Sequence, residues 1–167
     1  MRNSEIENTS DDVCDGCGTV VSEGRAGCQR FFEEVLVKDY SDYRYARTHR
    51  LMVDTYCLQH PDAYMRSGKS FAVHLTGMCA ALEYEDSAAI NRAVQRWLNG
   101  ARIIAKPAQM PAHRGDLTIM YIHSATDAEE HHRRVREWAR SVWAAWSEHH
   151  DLARQWIDEA KKESEKH

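Results

Sequence analysis

From His131 to Trp156 one stripe of residues, His131, Val135, Trp138, Val142, Trp146, His149, Ala153 and Trp156, recurs at intervals of three or four. That spacing follows the 3.6-residue turn of an α-helix and sets large rings on one face, which must be buried against other helices. Thr126 or Asp127 suits the N-cap, and Glu129 and Glu130 complement the first-turn dipole. An unbroken helix here would reach about 55 Å at 1.5 Å per residue. A break near Ser147 would fold the end back into a compact body.

The same period recurs upstream. Phe31, Phe32, Val35 and Leu36 mark a first helix in CQRFFEEVLVKDY, and Ser41 or Asp42 reads as the cap of a second, carrying Tyr45, His49, Met52, Tyr56 and His60 until Pro61 ends it. A third sets Phe71, His74, Met78, Ala81 and Leu82 on one face. The fourth, capped by Asp86 or Ser87, turns Ile90, Val94, Trp97 and Leu98 inward and stops at Gly100, expected in the left-handed conformation. Residues 100–116, with Pro107 and Pro111, read as a loop. LTIMYIH suits a short strand or a helical turn capped by Thr118, and the helix is favoured. The fold class expected is all-α, an irregular helical bundle.

At 167 residues, with 43% hydrophobic content, five Trp and seven Tyr, the chain can fill one core, so a single helical domain is expected over 13–167 behind a polar, acidic tail at 1–12. A net charge of −4, with Lys and Arg scattered, excludes a phosphate-binding face, so no nucleic-acid partner is expected. The first residues lack the apolar run of a secretion signal and no stretch is long enough to span a membrane, which points to a cytoplasmic protein without a membrane partner.

In that compartment five cysteines argue for free or metal-bound thiols. Cys57 and Cys79 fall inside helical patterns and read as small core residues. Cys14 and Cys17, in CDGCG, differ: glycines follow within and after the pair, as in a tight turn whose N–H groups face thiolates, and Cys28 offers a third sulfur. A redox CxxC sits at a helix start after a strand, and a haem site needs a histidine where Gly18 stands, so a zinc knuckle is preferred to a redox couple or an unremarkable pair of thiols. The fourth position falls to a histidine, with His60 the candidate, or stays open to substrate as a Lewis acid.

Ten histidines are many for this length. His49, His60, His74, His131 and His149 lie on inward stripes, where they can assemble a metal or acid/base site or be satisfied one by one. His113, His123, His132, His150 and His167 fall on loops, polar faces or the end of the chain. A di-iron site would need two Glu-x-x-His motifs facing inward; only Glu129 to His132 fits, off the stripe. The tryptophans read as core.

The succession CxxCG, HRLMVDTYCLQHP, SFAVHLTG, LTI and HHRRVREWARSVWAAWSEHH resembles bacterial proteins grouped as a domain of unknown function, which share elements similar to VDxYxxQHP, VHLxG and WAxSVWxAW. The resemblance runs from Cys14 to about Trp156. It implies that Cys14, Cys17, Cys28, Asp54, Tyr56, His60, Ser70, His74, Trp138 and Trp146 belong to a site or a core, and it transfers no substrate.

Three functions are open to such a chain. One is a metal-dependent enzyme acting on a small molecule, with zinc on Cys14, Cys17, Cys28 and His60, and with His74, Asp54 and Tyr56 moving protons; inward histidines favour it. Another is a zinc-stapled helical module that binds a protein partner. The third is a thiol sensor that responds to oxidation by releasing metal.

Overall fold

The computed structural model describes residues 12–166. The expected acidic tail, apart from Asp12, and His167 lie outside the described residues. Among the described residues eight α-helices make up an irregular bundle: α1 Gly24–Ser41, α2 His49–Gln59, α3 Pro61–Tyr64, α4 Gly68–Glu83, α5 Ser87–Asn99, α6 Ile119–His123, α7 Ala128–Ala145 and α8 His150–Ser164. Among the described residues the only extended pairing is an isolated bridge between Val13 and Val20, which closes a hairpin ahead of α1.

Helix α2 is the central element. Eight of its eleven residues, including Asp54, Tyr56 and Gln59, are buried, and it packs on α4 and α7 with α1 alongside. Tyr56 stacks on Phe32 of α1 at 3.8 Å, and Asp54 faces Gly77 of α4, where a β-carbon would lie 2.2 Å from the Asp54 Oδ2. Only glycine leaves room for that carboxylate, which explains the last residue of VHLTG. The other half of the bundle is aromatic: Trp97 of α5, Phe71 of α4 and Trp156 of α8 meet at about 6 Å.

Most helix ends follow their local chemistry. Ser67 and Ser70 form a reciprocal capping box on α4, Asp86 caps α5 through the Ala89 N–H, and Asp127 caps α7 through the Glu130 N–H. LTIMYIH is helical, with Thr118 at the N-cap position, although its hydroxyl turns to Thr19 instead. The last stripe does break: a 3-10 turn, Ser147–His149, separates α7 from α8, with no side-chain cap from Ser147.

Two expectations need correction and one is extended. The second helix begins at His49, not after Asp42, because α1 continues to Ser41 and Asp42 spends its carboxylate on Arg44. Pro61, which ends α2, also opens α3 at the position where its missing N–H costs nothing. Gly100 is extended, at φ −70° and ψ 177°, so α5 stops without a left-handed residue. Residues 100–118 contain no helix, as expected. The loop is held by Arg114 and by the carbonyls of Arg114 and Leu117, both of which accept from Gln59.

Candidate metal centre

The hairpin before α1 is a knuckle. The Cys14 N–H donates to the Thr19 carbonyl and the Gly18 N–H to the Cys14 carbonyl, with Gly18 at φ 76°, so the chain reverses tightly between the first two cysteines and α1. Cys28 lies in the second turn of α1 and is fully buried, as is Cys14, while Cys17 is half-buried at the rim. His60, at the end of α2, is buried beside them. Its Nε2 lies 3.4 Å from the Cys14 Sγ and 3.6 Å from the Cys28 Sγ, and the Cys17 and Cys28 sulfurs are 3.7 Å apart. All four donor atoms fall within 4.8 Å of one another, so one ion can touch them all.

The surroundings prepare the set. His60 donates Nδ1–H to the Tyr56 carbonyl at 2.8 Å, which leaves the Nε2 lone pair facing the sulfurs. The Tyr56 ring stacks between Phe32 and His60, and its hydroxyl lies 3.6 Å from the Cys28 Sγ. Gly16 is required: a β-carbon there would come within 2.3 Å of the His60 ring. Arg25 joins Asp15 of the hairpin to Asp62 of α3, and Arg114 donates to the Gly16 carbonyl at 2.9 Å, so loop and helices brace the knuckle from outside.

The three thiols share protons. Hydrogen bonds from Cys17 and Cys28 hold the Cys14 thiol far below its ordinary pKa, and the same bonds, with burial, push Cys17 up and Cys28 to about 11. A metal ion at this position would displace the shared protons. Cys57 and Cys79 stand apart, pushed to about 12 by burial, as core thiols should be.

The structure does not gather the other sequence candidates into one site. Asp54 and Tyr56 are two residues apart on α2, about 200° round its axis. Tyr56 therefore faces the metal ligands. Asp54, fully buried, faces α4, where it accepts from His74 Nδ1 and Arg50 Nε, each at 2.8 Å. Nor do the five inward histidines meet. His49 and His131 share Asp39 at the far end of α1, and the half-buried His149 packs on Phe71 and Trp146, its pKa lowered by burial.

Two histidines assigned to polar faces have buried partners instead. His132, 4% exposed, donates Nε2–H to the Arg44 carbonyl and accepts from Thr48, each at 2.8 Å. His150 stacks on Trp143 at 3.9 Å and donates to its carbonyl. Sequence reasoning also missed Gln59, whose amide accepts from Trp138 Nε1 while donating to the loop. Its place beside His60 and Pro61 in the QHP stretch was the available signal. Arg114 and Asp39 gave none.

Three cysteine sulfurs and a histidine nitrogen define the class: a helical protein with a Cys3His donor set close enough together to hold a metal ion. A family of unknown function (DUF5946) matches residues 12–147, and the chain belongs to that family. The match spans the knuckle and the helices up to the break at Ser147. No curated protein and no solved structure matches the chain. No helix among the described residues is long and apolar enough to cross a membrane.

Proposed function

We propose that the protein is a zinc-stapled helical module whose metal secures the knuckle to α1 and α2, and whose outer face binds a protein partner. One observation carries the reading: the spacing of the four donors. A tetrahedron with Zn–S near 2.3 Å and Zn–N near 2.05 Å has S–S edges of about 3.8 Å and S–N edges of about 3.6 Å. Three of the six separations here are 3.7 Å for sulfur to sulfur and 3.4 and 3.6 Å for sulfur to nitrogen, and all four donors lie within 4.8 Å of one another. Four protein ligands leave no position for substrate, which is the pattern of structural zinc. Thiolate ligation suits a reducing compartment, in keeping with a cytoplasmic protein.

The partner face is suggested by where apolar side chains reach solvent. Val13 and Val20 stand out from the knuckle, and Val37, Tyr40 and Tyr43, at 66, 78 and 88% exposure, follow along the end of α1 and the turn beyond it. Clefts of about 530 and 560 Å3 lie around Trp97 between α5 and α8, and neither is lined by a metal ligand.

The test is elemental analysis of protein purified without chelator or affinity tag, beside a Cys14→Ser variant. One zinc per chain, lost in the variant together with thermal stability, supports the staple. One zinc lost while melting is unchanged overturns it in favour of a site kept for chemistry, and no metal overturns every zinc reading.

Catalysis has one observation on its side, the Asp54 to His74 bond, which leaves the His74 Nε2 free to accept a proton. In that reading His74 is the base and Asp54 its orienting carboxylate, acting on a small molecule away from the metal. Tyr56, 1% exposed and raised well above the ordinary tyrosine pKa by burial, serves the metal centre.

A further inference from the structure

We propose that Cys17 is a site of reversible oxidation, and that a peroxide reaching the knuckle links it to Cys28 and releases the metal. The inference rests on the zinc reading above and adds a regulation of that same site.

The three sulfurs are not equivalent. Cys14 and Cys28 are 0% exposed, whereas Cys17 is half-buried at the rim. Glycines flank it on both sides. At Gly18 a β-carbon would meet nothing within 4 Å, so the chain on that side of Cys17 is open, while Gly16 on the other side sits against the His60 ring. Cys28 is held in the second turn of α1, backed by the Tyr56 hydroxyl at 3.6 Å. The Cys17 and Cys28 sulfurs are 3.7 Å apart, and a disulfide needs about 2.05 Å, so a shift of about 1.7 Å by the rim sulfur closes the bond. Cys14 is pinned instead, by its N–H to the Thr19 carbonyl, with its sulfur beside His60.

The chemistry balances with hydrogen peroxide as the oxidant. The Cys17 thiolate attacks one peroxide oxygen, the O–O bond breaks, and the departing hydroxide takes a proton to become water. The Cys28 thiolate then attacks the Cys17 sulfenic sulfur, the S–S bond forms, and the displaced hydroxide takes a second proton. Two electrons have passed from the sulfurs to one peroxide, giving one disulfide and two waters. Cys14 and His60 remain as ligands, too few to hold the ion against water. A dithiol reductant returns the two electrons and restores the site. Cys57 and Cys79, 3% and 0% exposed and raised to about 12 by burial, stay outside this reaction.

The test uses the full chain as purified. Its zinc is measured, a small molar excess of hydrogen peroxide is added, and released zinc is followed with a chromogenic chelator. Free thiols are then counted after denaturation, and the blocked protein is digested with trypsin. Arg25 lies between the two cysteines, so cleavage there puts Cys14 and Cys17 on one peptide and Cys28 on another. The expected result is one zinc released per chain, a fall from five free thiols to three, and a cross-link between those two peptides. Five thiols still free, or a disulfide confined to the peptide holding Cys14 and Cys17, would overturn the proposal. Protein without zinc before the peroxide step defeats the staple reading instead, and fragmentation of the cross-linked peptides between Cys14 and Cys17 still decides whether Cys17 is the residue that pairs with Cys28, a Cys14 to Cys28 link overturning the proposal. A Cys17→Ser chain should keep all its remaining thiols under the same treatment.

Discussion

The two ends of α1 carry buried polar clusters of opposite character. Cys28 and Asp39 lie eleven residues apart, about 16 Å along the helix. At the Cys28 end the groups around the centre are three sulfurs and an imidazole lone pair, and the nearest guanidinium, Arg25, is engaged by Asp15 and Asp62. At the Asp39 end the carboxylate, 3% exposed, accepts from His49 Nδ1 at 3.1 Å through one oxygen, while its other oxygen lies 3.3 Å from His131 Nε2 without a hydrogen bond between them, with Tyr45 edge-on to His131. One cluster, once ionised, consists of acceptors apart from the Tyr56 hydroxyl beside Cys28, and calls for a cation from outside. The other carries its own donor in His49. Burial alone does not distinguish a site from a strut; the balance of donors and acceptors does.

The largest effect should come from removing the outside cation. Chelation, or Cys28→Ser, is expected to cost about 4 kcal/mol or more and to free the knuckle, read as a lower urea midpoint and as hydrogen exchange across residues 12–22. Equal stability with and without chelator would erase the contrast between the two ends. Next, Asp39→Asn weakens the hydrogen bond from His49 to this buried position, for a loss of about 1–3 kcal/mol with metal content unchanged. Metal lost in that variant would join the two clusters into one unit.

Gly16→Ala sharpens the comparison from the metal side. Its new methyl meets the His60 ring at 2.3 Å, so metal affinity should fall in a competition titration, with about 1–3 kcal/mol of stability. The smallest effect separates core thiols from ligand thiols. Burial raises Cys57 and Cys79 to about 12, above the 9.0 of a free thiol, so the folded chain holds these protons longer than the unfolded one. Their contribution is complete below pH 9 and declines as pH rises towards 12, and a stability curve that stays flat over that interval would contradict it.

The metal end was legible in the sequence because soft donors at turn spacing carry their chemistry in their identity: Cys14, Cys17 and Cys28 say what they bind, and His60 stands one residue before a proline. Helix periods and the Asp86 and Asp127 caps were legible for the same local reason. The Asp39 end was not, since a carboxylate in a helical pattern looks solvated until a distant helix, here α7, brings His131 across ninety-odd residues. His132 failed likewise, because Thr48 and the Arg44 carbonyl reach it from the turn before α2. The proton-transfer trio was read from the inward stripes of His74 and Tyr56 and, for Asp54, from the family resemblance, neither of which says on which side of α2 each group lies.

The order of the ligands along the chain has a consequence for synthesis. Cys14, Cys17 and Cys28 leave the ribosome before the segment that ends in His60. A nascent chain therefore passes through a stage with three thiols and no imidazole, when an ion would keep a water in its fourth position. With an ion bound, docking of α2 would bring His60 Nε2 into that position and close the donor set. The last ligand to be made acts as the latch, and a chain stalled before residue 60 exposes its thiols to whatever oxidant or foreign metal the cell contains.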